Sequence, residues 1–156
     1  MKQILTIACC LFIVSASAQE KTFKEFYSSH KKQADVSLNV PGFIANFFID
    51  TDGDKELKSL LKKARSYKVL VFDDNSNNVQ KDFKKFIRRN NFKTIVRIKE
   101  GQDRIDIHFR EDKKRIKEII LNVHSNDKDA VILGLKTNLT EKELGKIISK
   151  TKIALK

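Results

Sequence analysis

The segment Asp50-Thr51-Asp52-Gly53-Asp54 resembles the start of a calcium-binding loop. Carboxylates at alternating positions of such a loop converge on one ion. The match then fails, because Lys55 occupies the place of the required glycine and Leu61 stands where a bidentate glutamate is needed. We therefore predict a turn that caps the following helix, and no calcium site.

The sequence does not predict a metal site at its three histidines, His30, His108 and His124. None of them has another histidine or a cysteine at the spacing that zinc sites use. We expect His108 and His124 to share the outer face of a β-sheet. With Ile120 opposite His108, the two histidines would lie roughly 14 Å apart, too far for one zinc ion. We therefore expect the histidines to be solvated or partly buried structural residues, and we expect no metal or cofactor.

The sequence contains no motif typical of a hydrolase with a serine nucleophile or of a nucleotide-binding enzyme. Ser28-Ser29-His30 places hydroxyls beside an imidazole in sequence, but neighbouring residues on a helix point in different directions. No glycine-flanked nucleophile elbow occurs, and the glycines form neither a phosphate loop nor a dinucleotide fingerprint. We predict that the protein is not an enzyme. An enzyme with scattered histidine and carboxylate residues, centred on His108, stays open as an alternative.

Basic residues are the stronger signal, with 32 lysines and arginines against 20 aspartates and glutamates and a net charge of +12. Such an excess favours contact with anions. The candidate anion-binding residues lie on two predicted helices, opposite their apolar stripes, and they are Lys58, Lys62, Lys81, Lys84, Lys85 and Arg88. If both helices pack on the same side of the sheet, these positions merge into one surface. An ordinary solvated helix face is the alternative explanation.

The expected partner of this surface is an acidic protein or an envelope polyanion, and a membrane surface remains open. Nucleic acid is not favoured, because the phenylalanines occupy core-facing stripes and do not alternate with the lysines as base-stacking platforms would. A second function class, a purely structural protein-interaction domain, would use the apolar cluster of Phe43, Ile44, Phe47 and Phe48. We favour a core role for that cluster.

The amino-terminal residues 1–18 have the features of a secretory signal peptide. Lys2 precedes the apolar run Ile4–Val14, which at about eleven residues is shorter than the roughly twenty that a transmembrane helix needs. Ala16-Ser17-Ala18 then offers small residues to a signal peptidase, so the mature chain would begin at Gln19. We predict an exported protein, periplasmic or extracellular, with one domain over residues 19–156.

A lipoprotein is the alternative interpretation of the same segment. Cys9 or Cys10 could be an acylated first residue, but the apolar run before Cys9 would then be Ile4–Ala8, shorter than usual. If cleavage follows Ala18, both cysteines leave with the signal. Disulfides and thiol chemistry would then be excluded from the mature protein.

Apolar spacing predicts the helices and the first strands. Spacing of three and four residues predicts helices over Lys21–Lys32, Lys55–Ser66 and Asn78–Asn90, and a short helical segment at the cluster that begins with Phe43. Alternation predicts a strand over Val36–Val40 that Pro41-Gly42 ends. The segment Tyr67–Phe72 is apolar on both faces, which is typical of a central strand.

Beyond Asn91 the period changes to two. Four strands follow, whose inward residues are Phe92, Thr94, Val96 and Ile98, then Ile105, Ile107 and Phe109, then Ile119, Leu121 and Val123, then Val131, Leu133 and Leu135. Short loops between them predict an antiparallel meander. Pairing Ile98 with Ile105 makes Gly101-Gln102 a two-residue turn and sets Arg97 opposite Asp106.

The fold class that follows is α+β. Its antiparallel sheet contains a C-terminal four-strand meander plus one or two N-terminal strands, packed with about four to five helices. The last helix has the clearest local signal, because Thr140 and Glu143 match a capping box and Leu139 and Leu144 match a hydrophobic staple.

The order of segments resembles a family of small exported proteins of Bacteroidota known as domain of unknown function 4252. The residues that carry the resemblance are Phe23–Tyr27, Asp35–Leu38, Leu57–Lys63, Tyr67–Phe72 and Ala130–Leu135, followed by Leu139-Thr140 and the last helix. The resemblance implies an exported α+β domain and supplies no catalytic residues. Many members resemble lipoproteins, whereas this chain has the Ala-Ser-Ala site. Some members are encoded near sigma-factor genes, which would imply a role in envelope signalling.

Overall fold

The computed structural model describes residues 21–48, 62–73, 76–125 and 129–154. The elements follow in the order α1 (Phe23–His30), β1 (Val36–Pro41), α2 (Gly42–Phe48), β2 (Ser66–Phe72), α3 (Ser76–Arg89), β3 (Lys93–Glu100), β4 (Asp103–Asp112), β5 (Arg115–His124), β6 (Ala130–Leu139) and α4 (Glu141–Ala154). The predicted signal peptide and the acidic run from Asp50 to Asp54 lie outside the described residues. Most of the predicted helix Lys55–Ser66 also lies outside them, and its predicted end is wrong, because Ser66 is the first residue of β2.

Six antiparallel strands form one sheet in the order β1-β2-β6-β5-β4-β3. The predicted meander is therefore confirmed as β3 to β6, and the two N-terminal strands join it beside β6. The part of the chain that the structure describes contains four helices. The α+β class is confirmed.

The predicted register of the meander is also confirmed. Ile98 lies opposite Ile105 and Arg97 lies opposite Asp106, so Gly101 and Gln102 form the turn between β3 and β4. Gly101 has a φ of 60°, a conformation that glycine adopts without steric cost. Turn chemistry and cross-strand charge together fix this hairpin.

One face of the sheet carries the larger buried cluster. We call it the helix-covered face, because α1 and α3 pack on it with Phe23, Phe26, Phe83 and Phe86. The Phe26 ring lies 5.5 Å from Phe83 and 5.1 Å from Phe86, both measured between centroids. Beneath these rings, the sheet contributes the buried side chains of Leu70, Phe72, Ile120, Ala130 and Ile132. Aromatic packing on aliphatic strand residues therefore attaches both helices to the sheet.

The opposite face is the one that the period-two pattern marks. On this face, apolar side chains of neighbouring strands lie side by side in rows across the sheet. One row crosses all six strands and consists of Leu38, Val69, Leu133, Leu121, Ile107 and Val96. Most of these side chains are half-buried, and α4 packs Leu144 and Ile148 against this face. Phe92 of the predicted inward set is buried in the larger cluster, as predicted, whereas the rows named here do not belong to that cluster, so the prediction is wrong for them. Both faces of the sheet carry apolar residues. On β4 to β6 the apolar residues of the opposite face occupy every second position with no polar residue among them, so the sequence pattern predicted that face as the core.

A close contact joins α1 to β6. A Cβ atom added to Gly134 would lie 1.9 Å from the nearest atom of the Phe23 ring, so the ring rests directly on the strand backbone. Glu118 fixes the same end of α1 by accepting a hydrogen bond of 3.0 Å from the backbone N–H of Phe23. Position 134 therefore requires glycine so that α1 can pack flat on the sheet.

We expect Gly134→Ala to lower the free energy of unfolding by about 1–3 kcal/mol, because the added methyl group must displace Phe23. Gly145→Ala is the matched control. Its Cβ would meet nothing within 4 Å, and alanine in the interior of α4 should raise stability by about 0.5–1 kcal/mol. Urea denaturation measures both variants. Equal stability of Gly134→Ala and the unsubstituted protein would contradict the packing.

The predicted capping box at the start of α4 is confirmed. Glu143 accepts hydrogen bonds from the backbone N–H and the hydroxyl of Thr140, at 2.7 and 2.9 Å, and it also pairs with Lys63. Leu139 and Leu144 are both buried in one cluster, as the staple requires. The hydrogen bonds from Lys63 and Thr140 lower the pKa of Glu143 from 4.5 to about 2.

Because the folded-state pKa is depressed, the Glu143 carboxylate stabilises the fold above pH 4.5, and this contribution is lost as the pH falls toward 2. We expect Glu143→Ala to cost about 1 kcal/mol at neutral pH, and less as the pH approaches the folded-state pKa. Glu143→Gln, which can still accept the capping hydrogen bonds, should cost less. Thermal denaturation between neutral and acid pH tests this, and a pH-independent difference would refute it.

Candidate functional site

Helices α1 and α3 do not cover the whole helix-covered face. Polar side chains of the strands lie at the two corners that remain uncovered. At one corner, β4 and β5 present Arg104, Asp106, His108 and Asn122, which line a cavity of about 470 Å³ beneath α3. We call this cavity the α3 cleft. At the opposite corner, a cavity of about 550 Å³ lies beside the start of α1. We call it the lysine cleft. The apolar helix packing separates the two.

Five cationic side chains and one carboxylate line the α3 cleft. Lys81 and Lys84 come from α3, Arg97 and Lys99 from β3, and Arg104 from β4. The alternation of the strands brings the last three to the same face as Asp106. The cleft is therefore strongly cationic, and low-dielectric walls beneath it focus that field.

Asp106 is buried on the floor of this cleft between two arginines. Its oxygens accept hydrogen bonds from Nε of Arg97 at 2.9 Å and from Nε of Arg104 at 2.6 Å. Burial alone would raise the pKa of Asp106, but the hydrogen bonds from Arg104 and Arg97 outweigh it, so the pKa is lowered. Asp106 is thus an ionised group that orients two guanidinium groups.

His108 lies beside Asp106 on the same strand, and only 4% of its surface is exposed. Its Nδ1 is 3.0 Å from the hydroxyl of Thr94, and its ring makes a T-shaped contact with Phe83 at 5.7 Å between centroids. Burial lowers the pKa of His108, and the charges of Arg97 and Arg104 add to this against the opposing charge of Asp106. The prediction that His108 lies opposite Ile120 is confirmed. The prediction that it lies on an outer face is wrong, because the phenylalanines of α3 cover that face.

A pair of amide side chains connects α3 to the floor of the cleft. Gln80 donates to Asn122 at 2.9 Å, and Asn122 donates back to Gln80 at 3.1 Å. Both residues are buried, so the reciprocal bonds satisfy polar groups that water does not reach. This pair fixes the height of α3 above β5.

The structure divides the predicted anion-binding residues of α3 between two sides of the helix. Lys81 and Lys84 line the α3 cleft. Lys85 lies on the other flank, 3.7 Å from Asp82, and Arg88 is exposed. The four are solvent-facing as predicted, but the helix brings only the first two to the cleft.

The other two predicted residues belong to the segment before β2. Lys62 lies in an exposed turn, next to the Lys63 that pairs with Glu143 on α4. Lys58 is outside the described residues. The merging of the two basic helix faces into one surface therefore stays a prediction.

The lysine cleft has a different composition. Lys24 of α1, Lys68 of β2 and Lys136 of β6 line it, together with Phe23 and Gly134. The other charged residues of its lining are Arg65, Arg110, Asp112, Lys117 and Glu118. Lys68 donates to the amide oxygen of Asn39, and its Nζ lies 5.1 Å from the centroid of the Tyr27 ring. Burial lowers the pKa of Lys68, and the charges of Lys24, Lys136 and Lys31 lower it further.

Apolar side chains at the β1 edge of the sheet are exposed. Val36 and Leu38 on β1 are about half-exposed, and Phe43 on α2 is 70% exposed, with Ile44 beside it. The expectation that Phe43 and Ile44 belong to the core is therefore wrong. The side chains of Phe47 and Phe48 lie outside the described residues.

Two other kinds of feature are absent from the described part of the chain. No group of three or more histidine, cysteine, aspartate or glutamate side chains comes together as a possible metal site there. Among the helices that the structure describes, none combines the length and the apolar character needed to cross a membrane.

Sequence reasoning missed the α3 cleft, although it identified the Arg97 and Asp106 pair. The available signal was the polar series Arg104, Asp106 and His108 on alternate positions of one strand. A polar series usually faces solvent, and only the phenylalanines of α3 show that this one is partly covered. The Gln80 and Asn122 pair had no signal in the sequence.

Comparison with known families gives one match. A family model described as "Domain of unknown function (DUF4252)" matches residues 24–147. The matched range begins within α1, covers the whole sheet and ends within α4. Nothing among the curated proteins or the solved structures matches the chain significantly.

We expect His108 to remain neutral at pH values where a free imidazole is half protonated, because burial opposes its charged form. A folded-state pKa below the ordinary 6.5 means that the unfolded chain binds this proton more readily. Stability contributed by neutral His108 is therefore present above pH 6.5 and falls as the pH drops toward the folded-state pKa. NMR titration of the imidazole measures this, and a pKa above 6.5 would contradict the described burial.

Proposed function

This chain belongs to the family described as "Domain of unknown function (DUF4252)", and we propose that it is an exported, non-enzymatic binding module that holds an anionic partner in the α3 cleft. One observation carries the proposal. Five cationic side chains surround a cavity whose one carboxylate, Asp106, is already neutralised by two of them. An added anion therefore meets net positive charge and no competing acidic group on the cleft floor.

The two arginines are well prepared to bind such a partner. Each uses its Nε to hold Asp106, and a guanidinium group has further N–H donors on its terminal nitrogens. Asp106 restricts the side-chain rotation of both arginines before any ligand arrives. Preorganisation of this kind lowers the entropic cost of binding.

The same contacts support binding over catalysis. A general base works best when its pKa lies near the working pH, yet the hydrogen bonds from Arg104 and Arg97 lower the pKa of Asp106 against the effect of its burial. His108 is almost entirely buried, and its Nδ1 is engaged by Thr94. The enzyme alternative centred on His108 would require a substrate to reach this buried side chain.

The partner that suits this cleft is a polyanion of the envelope or an acidic segment of a protein. Lys81 and Lys84 stand one helical turn apart, and Arg97 and Lys99 are two residues apart on β3. The cations thus form two short rows on facing walls, an arrangement that suits a chain with repeated negative charges. Export follows from the predicted signal peptide and stays part of the proposal.

The test is a charge reversal on one side of α3. We expect Lys81→Glu with Lys84→Glu to weaken salt-sensitive binding of a fluorescent sulfated oligosaccharide by at least about tenfold. Removing two cations and adding two anions at the cleft wall replaces attraction with repulsion. Fluorescence anisotropy at several salt concentrations measures the effect, and the thermal transition checks folding.

Lys85→Glu with Arg89→Glu provides the matched control, because it changes the net charge equally on the flank of α3 away from the cleft, where both residues line a different cavity. Its effect should be no more than about twofold at physiological salt, where charges farther apart than a Debye length are screened. Equal losses in the two variants would show that net charge, and not the α3 cleft, determines binding.

A further inference from the structure

The floor of the α3 cleft contains a histidine that can respond to a bound anion, an inference that rests on the proposed function. His108 lines the cleft although its side chain is almost entirely buried. It follows Asp106 by two residues on the same face of β4, so their Cα atoms lie roughly 7 Å apart. Asp106 in turn holds Arg97 and Arg104. An anion that binds these two arginines therefore enters the surroundings of the His108 imidazole.

The charged and titratable groups around His108 come from every element packed against it. Neutral residues, Thr94 and Ile120, lie directly opposite on the two neighbouring strands. The charged and titratable neighbours are Arg104, Asp106 and Arg110 on β4, Arg97 and Lys99 on β3, Glu118 and His124 on β5, and Lys81 and Lys84 on α3. Both carboxylates of this set are paired with arginines, so the surplus charge is positive.

In the free protein, these surroundings oppose a proton on His108. Burial lowers the pKa of His108, and Asp106 raises it, but the charges of Arg97 and Arg104 lower it again. A bound anion offsets the field of the two arginines and attracts an imidazolium directly. Both effects raise the pKa of His108, and salt screens them only weakly because the side chain is buried.

The hydrogen bond between His108 and Thr94 is compatible with both protonation states. The Thr94 hydroxyl lies 3.0 Å from Nδ1 of His108. A hydroxyl can donate to Nδ1 of a neutral imidazole, and after rotation it can accept from the Nδ1–H of an imidazolium. His108 can therefore gain a proton from solvent without losing this partner.

We propose that the α3 cleft takes up a proton on His108 together with its anion, so that the anion is held more tightly as the pH falls. The coupling is reciprocal, because the factor by which the anion strengthens proton binding is the factor by which the proton strengthens anion binding. The cleft would thus adjust its hold on an anionic partner to the pH of its surroundings.

The sign of the effect follows from the order of the two pKa values of His108. At a pH above the pKa in the complex, His108 is neutral in both states, and the affinity does not depend on its proton. Between that pKa and the lower one of the free protein, the complex alone holds the proton, so the affinity rises as the pH falls. Below both values, the affinity is constant again.

The experiment measures binding of the sulfated oligosaccharide to the full chain at pH 7 and pH 5, with a label whose emission is constant over this range. Sulfate esters stay ionised at both values, so the probe exchanges no protons. The background variant is His30→Gln with His124→Gln, which leaves His108 as the one histidine. The gain in affinity from pH 7 to pH 5 should be at least about threefold larger in this background than after the further change His108→Gln. Equal gains would overturn the proposal.

NMR titration of the unsubstituted protein tests the same coupling without any change at the buried His108. Its pKa should rise by at least about 0.5 when the protein is saturated with the oligosaccharide, which corresponds to a threefold change in affinity. An unchanged pKa in the saturated protein would overturn the coupling and leave the α3 cleft as the binding site. Absence of binding at both pH values would instead overturn the proposed function, and the coupling with it.

Discussion

The packing of phenylalanine rings from α1 and α3 on one face of the sheet is the constraint on which the rest of the structure depends. Phe26 contacts both Phe83 and Phe86, so each helix holds the other in place on the strands. Phe23 can reach the sheet because Gly134 leaves room for its ring. Removing this layer would expose Leu70, Ile120 and Ile132, which are fully buried beneath it.

The same packing creates both clefts. Two helices cannot cover a six-stranded face completely, and the strands place polar side chains where the cover ends. Burial makes those polar groups costly unless they are paired, and the structure pairs them. Asp106 lies between two arginines, Glu118 holds Arg110 and the start of α1, and Gln80 bonds Asn122. After this pairing, the charge that remains in both clefts is positive.

Much of the fold could be predicted from local patterns. The hairpin of Ile98 and Ile105 followed from alternation and a glycine turn, and the start of α4 followed from Thr140 and Glu143. The capping of α1 was missed, although Thr22 and Glu25 have the same spacing, and the Thr22 N–H donates to Glu25 at 2.6 Å. These features depend on residues close in sequence, which a single chain displays directly.

The position of the deepest core and the composition of the clefts could not be predicted in the same way. Both faces of the sheet present apolar rows, so alternation alone does not show which face the helices cover. His108 was predicted to face outward because it alternates with Ile107 and Phe109, which belong to the predicted inward set. Its burial depends on Phe83 and Thr94, which are distant in sequence. Placement of the β1 and β2 pair beside β6 likewise depends on tertiary contacts.

The central claim is that the cations gathered in the α3 cleft bind anions, while isolated surface lysines do not. Amide chemical-shift mapping with added inorganic phosphate at about 0.15 M salt tests it most directly, because screening suppresses weak contacts at isolated lysines. The account predicts saturable shifts at α3 residues 77–84 and at β3 and β4 residues 97–108. Shifts of equal size at Lys113 and Lys114, in the exposed turn between β4 and β5, would contradict it.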